Sequence, residues 1–198
     1  MKVKDVIMFQ VATDRNYKVG DKLEFGKENN FQAKRAFLGA KLEKRRIYDE
    51  GLSFAKSKKL FANKELVLKL SKQLQEYDFI LRELAFEEVR KNEFKDCPSR
   101  LRCMYLTNNK EDCLNGLKIF HQKGHGTFFQ AVAVKLNGNI FYSTSRKILC
   151  NGGSLEDYKK MAMEYWSQDQ NSNQPITEIL FEGKAEVVEI FGEYEHKR

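Results

Sequence analysis

Two long apolar runs, each broken once by a glycine between polar residues, limit what this chain can fold into. The first is "GTFFQAVAVKLNGNIFYST" (126–144) and the second "PITEILFEGKAEVVEI" (175–190). Both are rich in Val, Ile and Phe, as strands buried on at least one face are. Asn137-Gly138-Asn139 is turn chemistry inside the first run and predicts a hairpin there. Glu182-Gly183-Lys184 does the same for the second, so each run reads as two short antiparallel strands. Glu178 stands where the second run begins, and a lone carboxylate at a strand end is ordinarily a solvated residue.

The remaining segments alternate. "VKDVIMFQVAT" (3–13) reads as a first strand, followed by a turn-rich stretch with Gly20 and Gly26 at positive φ. Phe37, Leu38, Leu42 and Ile47 recur at helical spacing before Gly51, and a short helix fits 52–61. A long helix is predicted from about Asn63 to Asn92, with Leu66, Leu70, Leu74, Tyr77, Leu81 and Leu84 as its core face. On the same helix Glu83, Glu87 and Arg90 read as a salt-bridged solvent face, or as a polar wall beside a site. Pro98 closes that region. "SRLRCMYLT" (99–107) reads as a strand and 109–122 as an amphipathic helix. Ser154 caps a helix over 154–168, with Asp157 at the capping-box position and Trp166 as core. The order predicts one α+β domain over 1–198 with a mainly antiparallel sheet, a helical insert at 31–92 and a helix before the last strand.

Composition narrows the functional classes. The 198 residues carry 15 Phe, 8 Tyr and only 2 Pro, which excludes a disordered or collagenous chain. No apolar run approaches a membrane span or a cleavable signal, so a cytoplasmic protein is expected. Cys97, Cys103, Cys113 and Cys150 lack paired CxxC spacing and are expected to be reduced thiols. His121, His125 and Cys113 sit at a glycine-flanked turn rather than on a ligand-bearing helix, and no metal is expected. The net charge of +7, concentrated at 41–46 and 56–59, favours an acidic protein or nucleic acid as partner.

Three short segments carry a family resemblance. "EILFEGKAEVVEI" with Glu178 at its head, "FYSTS" (141–145) and "IMFQ" (7–10) resemble an uncharacterised bacterial domain family related to the ADP-ribosyltransferase fold. The resemblance implies a split, mainly antiparallel sheet and a site for NAD, used as substrate. It makes Glu178 the catalytic carboxylate and gives Gln10, Tyr142, Ser143 and Ser145 to NAD binding. Arg100 would reach a phosphate. The sequence departs from that pattern where Gln10 stands in place of a cationic or imidazole residue and Ile176 in place of Glu or Gln. Hence three expectations stand side by side: an NAD-consuming transferase or glycohydrolase, a catalytically silent nucleotide- or partner-binding protein, and a basic nucleic-acid-binding module using 41–59.

Overall fold

The computed structural model describes residues 1–30, 33–34, 64–123, 126–143, 153–168 and 178–195. Apart from 33–34, the helices predicted from about Phe31 to 61 lie outside these residues, as do the basic stretch 41–59, Ser145, Cys150, Ile176 and His125. The elements are β1 (Lys2–Thr13), β2 (Lys22–Phe25), α1 (Lys64–Glu93), β3 (Met104–Leu106), α2 (Lys110–Lys123), β4 (Phe128–Ser143), α3 (Leu155–Trp166) and β5 (Glu178–Glu195). The protein is α+β, with a five-stranded antiparallel sheet of order β1-β4-β5-β2 and β3 paired to β5. Among the described residues no helix is long and apolar enough to cross a membrane.

Neither glycine-centred turn exists. β4 and β5 each run straight through their glycine and pair with one another from Phe128↔Glu195 to Ser143↔Glu178. Gly138 faces Gly183 in that ladder, and a Cβ built on Gly138 would lie 2.2 Å from the Glu182 carbonyl oxygen. Gly183 has a φ of 140°. The two glycines let the paired backbones approach more closely than side chains would allow, the other use of glycine in a strand interior. A single-sequence reading sees each glycine without its partner and takes it for a turn. The two positive-φ glycines of the loop after β1 are as expected, with φ of 95° at Gly20 and 107° at Gly26. That loop nevertheless contains β2.

The sheet curls. Reciprocal backbone bonds, Phe9 N–H to the Thr107 carbonyl at 3.1 Å and Thr107 N–H to the Phe9 carbonyl at 2.8 Å, bring the free edge of β1 onto the end of β3. Alternate side chains on the concave side form one core, with Met8, Leu106, Val132, Val134, Ile140, Ile179 and Phe181 among its buried members. On the convex side α2 covers Phe129 and Ala131 through Cys113 and Leu117, while Phe141 and Leu180 pack with Phe86, Tyr165 and Trp166 of α1 and α3. Trp166 is core, its indole N–H donating to the Phe86 carbonyl at 3.1 Å. Ser154 and Asp157 make the predicted reciprocal capping box.

α1 turns part of the expected face outward, with Leu70 and Tyr77 half-buried. Leu74, Leu81 and Leu84 are 68%, 38% and 48% exposed, whereas Glu83, Glu87 and Arg90 are 2%, 7% and 6% exposed. The leucine periodicity is real, but the described part of the fold packs the face bearing Phe86, Val89 and these charges against α3 and the 94–103 segment. Burial of the charges is tolerable because each has a partner. The prediction reverses the hydropathy reading. Phe86→Ala should cost about 3–5 kcal/mol in a urea-unfolding series. Leu74→Ala should stay within about 0.5 kcal/mol of the parent, as a surface change does.

Candidate functional site

Beyond the Phe9–Thr107 bridge, β1 and the chain leading into β3 diverge, and a cavity of about 580 Å³ opens between them. Its wall includes Phe9, Gln10 and Val11 of β1, then Arg15, Cys103, Tyr105 and Thr107, with Phe120 of α2. Arg100 and Glu178 complete the part that bears charge. The sequence therefore separates two of its predicted site residues by 168 positions, and the fold brings them to one cavity.

Gln10 projects from the concave side of β1. Its Oε1 is buried and has no hydrogen-bond partner in the protein. A buried amide oxygen left unmatched costs about 1–3 kcal/mol, so this atom calls for a donor. Glu178 enters from the opposite side as the first residue of β5, its side chain 22% exposed. Its Oε2 accepts from the Tyr165 hydroxyl at 2.7 Å and from Arg100 Nη1. Both contacts fall on the one oxygen.

Arg100 is enclosed. Its Nε and Nη2 donate to Glu83 Oε2 and Oε1 at 2.9 and 3.3 Å, and Nη1 also donates to the Tyr165 hydroxyl at 3.1 Å. The guanidinium lies 5.2 Å from the Tyr165 ring centroid and 5.5 Å from that of Phe86, where cation–π attraction adds to the ion pairs. Burial works against the charge of Arg100, yet Tyr105, Glu178, Glu83 and Tyr165 outweigh it and hold the group protonated well above its ordinary range. Burial likewise pushes the phenols of Tyr105 and Tyr165 and the thiol of Cys103 far up, so all three are neutral.

A second ionic cluster fixes the segment that carries Arg100. Glu87 takes both Arg90 Nε and Nη2, at 3.0 and 2.9 Å, and the Ser99 hydroxyl at 2.7 Å. Arg90 Nη1 donates to the Cys97 carbonyl at 3.0 Å, and the Ser99 N–H donates to Glu182 Oε1 at 2.9 Å. Burial raises the Glu87 carboxyl, but Arg90 and Ser99 overcome that and leave it below its ordinary value. Burial raises Glu182, with the Ser99 N–H offsetting part of it. The expected strand over 99–107 shrinks to Met104–Leu106 because Ser99 to Cys103 form a tight turn, with Arg102 and Cys103 N–H bonded back to the Ser99 carbonyl.

The other predicted residues stand apart from the cavity wall. Ser143 is fully buried directly opposite Glu178 in the β4–β5 ladder, so both side chains project from the same face. Tyr142 pairs with Ile179 and packs on the concave core, the face opposite to Ser143. Cys97, Cys103 and Cys113 are free thiols, and burial pushes Cys113 up to about 11. His121 stacks on Tyr194 at 4.9 Å, and the described residues contain no group of three or more His, Cys, Asp or Glu that could hold a metal. Glu83, which the sequence reads as a solvent face or as a polar wall beside a site, is buried against Arg100, and Tyr165 shares both Arg100 and Glu178. Their signal was a charge pair on α1 at helical spacing ahead of the basic turn "SRLR", and a tyrosine just before the closing strand.

The family model described as "Protein of unknown function (DUF2441)" matches residues 8–193, and the chain belongs to that family. No curated protein matches the chain.

The Glu87 cluster predicts a pH dependence. A carboxyl lowered in the folded state contributes stability that is present above its unfolded value, near 4.5, and is lost as pH falls through the folded one. Glu182, raised by burial, acts with the opposite sign, so the comparison is made with and without Glu87. Urea midpoints measured from pH 7 to pH 3 should fall steeply in the parent protein. Glu87→Gln should lose on the order of 3 kcal/mol at pH 7, where Arg90 is left without its charge partner, and should change less on acidification.

Proposed function

We propose that this protein is an ADP-ribosyltransferase-like enzyme that consumes NAD as substrate, by ADP-ribosyl transfer or by hydrolysis, with Glu178 as its catalytic carboxylate. One observation carries the reading: Gln10, with an amide oxygen lacking a donor, and Glu178, with a carboxylate held through one oxygen, line the same cavity. An amide oxygen is a fit acceptor for a carboxamide N–H or a ribose hydroxyl. A carboxylate fixed through Oε2 keeps Oε1 for a ribose hydroxyl.

The bond that breaks joins the nicotinamide nitrogen to the ribose anomeric carbon. Its electron pair leaves with nicotinamide, which becomes neutral, and positive charge develops on the ribosyl ring as in glycoside cleavage. Water or an acceptor nucleophile then bonds to that carbon and gives its proton to solvent. The role of Glu178 is to accept from the ribose hydroxyl more strongly as the ring gains charge, which lowers the barrier without tightening substrate binding. Ser143, buried across the ladder from Glu178, backs this strand end. Tyr142, packed on the core, has no part in the scheme.

A second reading has its own observation. Four donor contacts of Arg100 go to Glu83, Tyr165 and Glu178, so the cation assigned to a phosphate is engaged inside the protein. A silent nucleotide-binding member of the fold accommodates this equally, with Glu178 serving to anchor the 99–103 turn.

Labelled NAD separates the two. The enzyme reading expects nicotinamide release by the parent protein and a loss of about 10²-fold or more in kcat for Glu178→Gln, with KM nearly unchanged. Saturable NAD binding without release by the parent protein supports the silent reading and rules out the enzyme.

A further inference from the structure

Two residues past the end of β1 stands an arginine that lines the cavity and has no part in the scheme above. Asp14, at a φ of 52°, turns the chain out of the strand. Its Oδ1 accepts from the Thr127 N–H, the Thr127 hydroxyl and the Phe128 N–H at 2.7, 3.0 and 3.2 Å. Tyr17 is buried and clamped by Gln130, whose Oε1 accepts the Tyr17 N–H at 2.7 Å and whose Nε2 donates to the Tyr17 carbonyl at 3.3 Å. Between these two fixed points Arg15 is exposed on the cavity wall.

The two guanidiniums of the wall differ in what they have left to give. An arginine has five N–H donors. Arg100 is buried and makes four donor contacts, to Glu83, Tyr165 and Glu178. Arg15 makes one, from Nη1 to the Tyr17 hydroxyl at 2.8 Å, and its Cζ lies 6.0 Å from the centroid of that ring. The carboxylates of this corner have other partners: Asp14 is bound as above, and Glu193 accepts from Gln130 Nε2 at 2.7 Å. Among the described residues none forms an ion pair with Arg15. Glu178, the one carboxylate on the described wall, is already held by Arg100. Arg15 is therefore the wall cation with donors to spare, and its planar fork matches the oxygens of a phosphate.

Gln10 fixes the other end. Its unpartnered acceptor sits three residues before Thr13, about 10 Å along an extended strand. A ligand that brings a donor to Gln10 and an anion to Arg15 is longer than a bare phosphate and has the reach of a nucleotide.

We propose that Arg15, and not Arg100, receives the phosphate of the ligand, so that the cavity takes a ribosyl phosphate with its sugar at Gln10 and Glu178 and its phosphate where the chain leaves β1. This rests on the NAD-consuming reading and deepens it by naming the residue that holds the diphosphate. No bond is made or broken at Arg15.

The test uses the dihydro forms of nicotinamide mononucleotide and nicotinamide riboside. They differ by one phosphate, and their neutral ring is no leaving group, so binding is read without turnover. Titration calorimetry at pH 7 should show the parent protein binding the phosphate form at least about 10-fold more tightly, the effect of one charge-assisted hydrogen bond. Arg15→Gln should bring the two affinities within about twofold of one another by weakening the phosphate form alone. Lys18→Gln makes the same charge change on an exposed residue outside the cavity wall and should leave the parent's ratio within about twofold. A ratio that survives Arg15→Gln overturns the proposal. So does a ratio that falls equally in Lys18→Gln, which marks diffuse attraction to a basic protein, or a parent protein that binds neither probe or shows no preference. If circular dichroism shows Arg15→Gln unfolded, the parent protein carries the test. Phenylglyoxal should then modify Arg15, and the phosphate form but not the riboside should slow that modification; equal rates with both are fatal. Failure of the NAD reading is distinct. A parent protein that prefers the phosphate form through Arg15 but releases no nicotinamide from NAD refutes the chemistry and keeps the assignment, whereas nicotinamide release with an unchanged KM for NAD in Arg15→Gln does the reverse.

Discussion

Arg100 is the residue on which the arrangement depends. It is buried between Glu83 of α1 and Glu178 of β5, and it shares Tyr165 of α3 with Glu178. One guanidinium thus joins a helix, a strand end and a second helix to the turn that leads into β3. Placing a charge there is expensive in itself, and the carboxylates offset that cost only while all are present. Removing one partner leaves an unmatched buried charge, which is worth about 3–5 kcal/mol against the fold. The geometry is consequently rigid where the cavity is lined and specific about which residues line it.

The sheet supplies the other half. Two paired glycines, Gly138 and Gly183, let the β4 and β5 backbones approach closely within one long ladder, and β1, paired to the other edge of β4, meets the end of β3 at Phe9 and Thr107. The cavity begins where that meeting ends. Its two opposed polar features come from opposite faces of the sheet, Gln10 from the concave side and Glu178 from the convex one. They share a cavity because the sheet edges fail to close.

Much of this was legible in the sequence. The α+β order, the strand predicted over 3–13, the capping box at Ser154 and the core role of Trp166 all follow from residue pattern. What was not legible depends on pairing. Asn137-Gly138-Asn139 has the composition of a turn, and only Gly183 opposite shows it to be a close approach of two paired strands. The leucines of α1 have the period of a core face. Only Arg100, Ser99 and Arg90 make the charged face of that helix the buried one, and Arg100 lies 17 residues from Glu83 in the chain. Hydropathy assigns a charged residue to solvent unless its partner is known. Tyr142 and Ser143 adjoin in sequence but project from opposite faces of β4, so a motif read along the strand could not supply one wall.

The account stands or falls on the cavity as a binding site for a nucleotide with a donor end. The direct measurement is a crystal structure of the protein with a non-hydrolysable NAD analogue. The account predicts density between β1 and the 100–107 segment, with a ligand N–H or hydroxyl on Gln10 Oε1, a ribose hydroxyl on the Glu178 carboxylate and Arg100 still bound to Glu83. Density that leaves Gln10 and Glu178 untouched, or Arg100 swung from Glu83 onto the diphosphate, would contradict it.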